Sequence, residues 1–226
     1  MARRSRRTIE PSKQLLIDRK DREALLSKVK MGQIPLVVPV PIALVGSYVE
    51  RRANFMEVGD VGIAGIKPAL VMVSLSQGHH TMSGIRAAGS FSVNIPSTAM
   101  LDRVDACGMV SGRDVDKSAW FDVFDSEKLQ VPLIRECPVN LACELAHEIQ
   151  VEHRCVLVAK VVECLVDEVL LEAEGSGRKI KDLTLFDPVL YGLDNRYYRI
   201  GEAIGEGYKE GQEVCEDSAI PHDSAS

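Results

Sequence analysis

Two neighbouring stretches of apolar–polar alternation constrain this chain more than any other feature. Val139, Leu141, Cys143 and Leu145 alternate with Asn140, Ala142, Glu144 and Ala146, and Val151, Cys155, Leu157, Ala159 and Val161 extend the pattern over a longer span. A period of two places the two sets on opposite faces of a strand, so one face is buried and the other is not. Strands of this length wrap around a core, and a β-barrel is the expected outcome. Shorter strands are expected at residues 42–49, from Asn54 onward, at 69–75, at 91–95 and at 197–200, with Glu50, Arg51 and Arg52 as a turn between the first two. Two helices should interrupt them. One covers residues 81–88 and ends at Gly89 as its cap; the other covers 97–107, opened by Ser97 after Pro96. The expected class is mainly β with helical insertions (α+β).

Hydrophobic residues make up 46% of the 226, enough for one sizeable core. The formal net charge of −6 gives no basic field for nucleic acid. Arg3, Arg4, Arg6 and Arg7 are followed by charged residues where an export leader needs an apolar stretch, so a disordered basic start is expected instead. No run approaches the roughly 18 apolar residues of a membrane span. The six cysteines form no C-x-x-C pair and no zinc-finger spacing. A reduced, cytoplasmic setting fits them. Residues 11–31 read as an amphipathic helix with Leu15, Leu16, Leu25, Leu26 and Val29 on its apolar side, stopped by Gly32 and suited to packing on the barrel or on a partner subunit. The expected division is a basic tail and helix at 1–34, a main domain at 35–205 and a polar, disordered tail at 206–226.

Neither G-x-G-x-x-G after a strand nor G-x-x-x-x-G-K-[ST] is present, which leaves a Rossmann site and a P-loop unsupported. Instead, residues 89–117 carry an ordered series. It begins G-S-F-S-V-N-I-P, passes through a helix, and continues D-A-C-G-M-V-S-G-R-D-V-D-K. This series resembles the signature of the flavin reductase-like, flavoredoxin-type family, and the likeness extends over roughly residues 35–205. The resemblance implies a six-stranded Greek-key FMN-binding split β-barrel. It also implies a homodimer with flavin near the subunit interface, and a nicotinamide cofactor folded across the flavin without a Rossmann domain.

An FMN phosphate needs several N–H or O–H donors, best supplied at a helix N-terminus. Residues 76–81 offer this after a buried strand: Gly78 allows a sharp turn and Thr81 can cap the helix with its hydroxyl. The resemblance puts His79 and His80 in the family's basic phosphate slot. A plain cap for Thr81 and a solvent-facing turn for the histidines are the alternatives. Adjacent histidines diverge, so no metal site is expected, and His147 and His153 are read as packing or hydrogen-bonding residues on strands. The resemblance further lays Asn54, Phe55 and Met56 along the flavin ring and brings Asn94 to it, with a turn-forming role as the alternative for Asn94. In the loop that begins at Ser111, Gly112 permits close backbone approach, and Arg113 and Lys117 offer cations for phosphates; a surface loop is the other reading. The chain departs from the family at Ala69 and across residues 57–66, which are glycine-rich and lack an aromatic. Cys107, beside the loop, is the candidate for a redox-active thiol, with a buried inert thiol as the alternative.

The expected activity is oxidoreductase: FMN accepts hydride from NADH or NADPH held about 3–3.5 Å away and passes electrons on. No side-chain acid is strictly required, and His153 is the candidate should one act. The alternative is a flavoredoxin-type electron carrier that exchanges electrons with a redox protein partner without nicotinamide turnover. A reductase of an organic substrate and a non-flavin binding module complete the readings.

Overall fold

A computed structural model describes residues 28–174 and 177–217. The chain divides into two compact units, Met1–Leu36 and Val37–Ser226. In the first, residues 28–36 are exposed and form no helix. The remainder of the expected helix, residues 11–27, lies outside the described residues.

In the second unit the elements begin with β1 (Val40–Pro41), β2 (Ala43–Val49), β3 (Arg52–Val58), β4 (Val61–Gly65) and β5 (Leu70–Ser76). Next come α1 (His80–Ala88), β6 (Ser90–Ile95) and α2 (Leu101–Met109). The short strands β7 (Val123–Asp125) and β8 (Pro132–Ile134) precede the long pair β9 (Val139–Val151) and β10 (Arg154–Val166). The chain ends with β11 (Leu171–Glu174), β12 (Gly177–Ile180), α3 (Leu183–Phe186), β13 (Leu190–Gly192), β14 (Arg196–Tyr198) and α4 (Gln212–Asp217).

Seven strands form one antiparallel sheet in the order β3-β2-β6-β9-β10-β5-β4. Its two edges, β3 and β4, are consecutive in the chain and joined only by Gly59 and Asp60. Three Cα steps span at most about 11 Å, so the sheet must curl until its edges nearly meet. No ladder joins β3 to β4, which leaves the barrel split along that seam. The curl is helped by register shifts between β9 and β10, at Val158/Ala159 and Val161/Glu163, because a bulge bends its strand and increases twist.

Alternation along β2 explains how both faces of the sheet are used. Ala43 and Val45 join the core with Val58, Val73, Leu75, Phe91, Cys143 and Leu157. Ile42 and Leu44 point the other way, into a second core with Phe55, Val104, Cys107, Phe121 and Ile134. A strand buried on both sides reads as a continuous apolar run, as residues 42–45 do. Phe55 meets Phe121 edge-on at 5.6 Å between ring centres, a geometry that aromatic quadrupoles favour.

The class is mostly β with helical insertions, as expected. Gly89 closes α1 in the left-handed region (φ 66°) and donates its N–H to the Ile85 carbonyl, an arrangement that suits a residue without Cβ. Three corrections apply. The main sheet has seven strands rather than six, because the glycine-rich stretch supplies β4. His153 lies in the two-residue turn between β9 and β10, not on a strand. Residues 206–217, expected as a disordered tail, contain turns and α4.

Candidate functional site

A cleft of about 390 Å³ opens where β3, the start of α1 and the end of α2 converge. β3 is an edge strand, so the backbone groups along its outer side have no strand partner and remain available to a ligand. Asn54 and Met56 line the cleft from one face of β3 and Glu57 from its far end. Gly78, His79, His80 and Thr81 form the second wall; Cys107, Gly108 and the 109–113 loop form the third, with Lys117 at its base.

The second wall is built to receive an anion. His79 occupies the N-cap position of α1 with an extended backbone and no side-chain cap, and no acid lies in the first turn. The first helical amides, those of His80 and Thr81, have no intrahelical acceptor by construction, and the helix dipole adds a positive end there. Thr81 is not the cap that the sequence suggested. It sits one residue inside the helix, 1% exposed, where its hydroxyl accepts from Asn54 Nδ2 at 2.7 Å and its carbonyl accepts from Ser47 Oγ at 3.0 Å. These bonds tie the helix start to β2 and β3.

Gly112 closes the wall opposite. A Cβ at this position would overlap the Asn54 amide oxygen and press on the His80 ring, so only glycine brings the 111–113 backbone this close. Ser111 Oγ accepts from the Arg113 N–H at 3.2 Å, and the Ser111 carbonyl accepts from Asp114 and Val115, each at 3.1 Å. Arg113 Nη2 donates to the Gly78 carbonyl at 3.0 Å, bridging the two walls.

Arg113 and Lys117 line the cleft as cations, and Glu57 is the acid among its lining residues. Burial lowers the pKa of His79, with Arg154, Lys117 and Arg113 adding to it. Burial lowers His80 as well, followed by Arg113 and Arg52. Lys117 is 3% exposed and donates to the Cys107 carbonyl at 2.7 Å; burial depresses its pKa too. Among the described residues it has no ion-pair partner. A buried cation without a counter-ion is costly, and such a group is suited to a ligand that brings negative charge. The Cys107 thiol is buried and pushed up to about 11 by burial, even with Lys117 pulling it down. It is a neutral thiol near pH 7 rather than a reactive thiolate.

Nine of the residues assigned to cofactor binding from the sequence therefore share one cleft: Asn54, Met56, His79, His80, Thr81, Ser111, Gly112, Arg113 and Lys117. Three other candidates do not line it. Phe55 points to the opposite face of β3 and is wholly buried in the second core. Asn94 is also wholly buried. It donates to the Leu44 carbonyl (2.9 Å) and Ser92 Oγ (3.0 Å), and it accepts from the Ile134 N–H (3.1 Å) and Asn140 Nδ2 (2.9 Å). With those four bonds it ties the sheet to β8 and has nothing left for a ligand. His153 lies in its turn, away from the cleft. Sequence reasoning missed Glu57 and Gly108. The signal for Glu57 is the strand's lone carboxylate, directly after Asn-Phe-Met.

Residues 36–200 match the family model described as the flavin reductase like domain. The chain belongs to the flavin reductase-like family. Among solved structures, the family member described here is similar to flavoredoxin from Methanosarcina acetivorans, at 32% identity and a TM-score of 0.77, covering 83% of this chain and 99% of that one. It is similar to flavoredoxin of Desulfovibrio vulgaris (Miyazaki F) at 29% identity and TM-score 0.75, covering 82% and 100%. It also resembles an FMN-binding protein from Thermus thermophilus, solved with bound 1-cyclohex-2-enone, at 25% identity and TM-score 0.66, covering 80% and 98%. The flavin reductase-like cleft fits a phosphorylated flavin on its own chemistry. An uncapped helix start faces three basic side chains, a buried ammonium lacks a counter-ion, and a free strand edge offers amide groups to a planar heterocycle.

Proposed function

We propose that this protein binds FMN in the cleft and works as an NAD(P)H-dependent flavoprotein oxidoreductase. The observation that carries the reading is the positive charge of Lys117 and Arg113, neither with an ion-pair partner among the described residues, beside the uncapped start of α1. The amides of His80 and Thr81 and the Arg113 guanidinium would hold the flavin phosphate, with the His79 and His80 rings beside it. Asn54 and the free edge of β3 contact the ring, and Gly112 lets the loop backbone close over it. Lys117 would supply a buried positive charge to the bound ligand. When bound, FMN supplies reversible two-electron chemistry. The protein's share is to hold the ring, leave one face open to a nicotinamide and keep its own polar groups fixed. The same reading includes a homodimer with the cleft near the interface.

A second reading is an electron carrier that serves a redox protein partner without turning over a nicotinamide. The likeness to two flavoredoxins favours it. One experiment separates the two: visible spectra of the FMN-supplemented protein under anaerobic conditions, before and after NADH and then NADPH. Rapid bleaching of bound flavin by either donor supports the reductase. Bleaching only with dithionite supports the carrier. Failure to bind FMN at all overturns both.

A further inference from the structure

Glu57 enters the cleft from the far end of β3, but its carboxyl is shared with a second group of residues. The Tyr197 hydroxyl lies 2.9 Å from Glu57 Oε1 and 2.7 Å from Asp105 Oδ1. A phenol carries one hydrogen and can donate to only one carboxylate at a time. Both short contacts are hydrogen bonds only if one carboxyl is protonated and donates back to the phenolic oxygen. The cluster is held in place from three sides. Glu57 is fixed by β3, opposite the uncharged Leu44 of β2. Asp105 projects from α2, and Tyr197 stands on β14 with its ring against Tyr191 at 5.4 Å. A Cβ at residue 108 would overlap Glu57 Oε2, so Gly108 is what lets the carboxyl lie against the end of α2.

The position of Tyr197 gives the cluster a direction. Glu57 lines the cleft, whereas Tyr197 lines a separate pocket of about 260 Å³ with Thr98, Leu101, Val189 and Arg199. We infer that Glu57, Tyr197 and Asp105 form a proton path in which Glu57 gives a proton to the reducible ligand in the cleft and is refilled through Tyr197 from Asp105. The inference rests on the FMN reading. Hydride from a nicotinamide carries two electrons and one proton, so a ring that gains two hydrogens needs one further proton. Glu57 supplies it: its O–H bond breaks, the proton goes to the ligand, and a carboxylate remains. Water then protonates Asp105, and that proton passes to the Tyr197 oxygen as the Tyr197 hydrogen moves to Glu57. The net cost is one proton from solvent.

The charges around Glu57 suit this role. Burial holds its carboxyl above the ordinary carboxylate value and Asp105 adds to that, while the Tyr197 hydrogen bond pulls the other way. Burial and both carboxylates push the Tyr197 phenol well above its usual value, so it stays protonated. Nearby in the cleft are the Cys107 thiol of α2, neutral near pH 7, and the Lys117 ammonium that donates to the Cys107 carbonyl.

The test begins with flavin-free protein, followed by infrared spectroscopy as pH is raised. The carbonyl stretch of a protonated carboxyl should persist above about pH 4.3, the ordinary glutamate midpoint. It should vanish in Glu57→Gln and shift in Tyr197→Phe. The inference is overturned if there is no such band, or if it survives intact in Glu57→Gln. With FMN bound, Glu57→Gln should slow nicotinamide-driven bleaching by about 10²-fold and flatten its pH profile, the low end for a positioned acid. An unchanged rate would overturn proton delivery by Glu57. Since the infrared arm needs no flavin, failure of the cofactor reading and failure of the proton path give different results.

Discussion

Lys117→Met separates the binding role of the buried ammonium from its structural role. In flavin-free protein two effects oppose each other. Lys117 is 3% exposed and burial depresses its pKa, so loss of the charge relieves an unfavourable burial. The same change removes the 2.7 Å bond to the Cys107 carbonyl, near the negative end of α2. Met keeps an unbranched stem of similar length, and the two effects should leave stability within about 1 kcal/mol of wild type. Binding should respond differently. A hydrogen bond from a charged donor contributes about 2 kcal/mol, close to a 30-fold change in Kd. With FMN at 100 times the wild-type Kd, the ligand stabilises the wild type by about 2.7 kcal/mol and the variant by about 0.9 kcal/mol. Urea denaturation with and without FMN reads both quantities. The reasoning fails if FMN stabilises the variant as much as wild type, or if the flavin-free variant loses more than about 3 kcal/mol. There is also a pH signature. With the folded pKa depressed, the unfolded chain binds more protons between that value and the ordinary lysine value of about 10.4. Wild-type stability therefore gains with pH across this window, and the variant lacks that gain.

Gly112→Ala should weaken FMN and cost about 1–3 kcal/mol of stability, because its methyl group meets the Asn54 amide that is already bonded to Thr81; calorimetry and thermal melts check both. Asn94→Ala should destabilise the fold by about 3 kcal/mol by orphaning buried groups on β2, β8 and β9, with FMN affinity per folded molecule unchanged. FMN affinity should fall as pH rises through the histidine range. The pKa values of His79 and His80 are lowered in the free protein, a bound phosphate raises them, and binding between the two values takes up protons. Calorimetry in buffers of different ionisation enthalpy reads that uptake, and release of protons would refute the assignment.

The barrel and most of the cleft were legible because they rest on local signals. The alternation of residues 139–161 predicts β9 and β10, and the glycine after an amphipathic stretch marks the end of α1. The 111–117 loop is contiguous in sequence, and so is the 78–81 turn. The misreadings arise where side-chain direction or a distant partner decides. Phe55 sits between two cleft residues, and a strand sends it to the other face. Asn94 lies in a motif suggestive of ligand contact, but its four partners come from β2, β6, β8 and β9, up to 50 residues away. Glu57 acquires its meaning only from Tyr197, 140 positions further on. The seventh strand was hidden by Gly59, Gly62 and Gly65, whose composition argues against a strand while the β5 edge recruits one.

The long hairpin also bears on the order in which this chain assembles. β9 and β10 are joined by a two-residue turn and pair over most of their 13 residues each, all within one local stretch. Closing such a turn is entropically cheap, and hairpins of this kind form in about 1–10 μs. β5, by contrast, pairs with β10 across some eighty residues, as Ser76 does with Arg154, and β2 meets β6 across about fifty. The hairpin can thus form early, as a template whose two outer edges receive β5 and β6. The cleft, built on the edge strand β3 and on the starts and ends of helices, needs the β2–β3 hairpin docked through β6 onto this template before its walls converge.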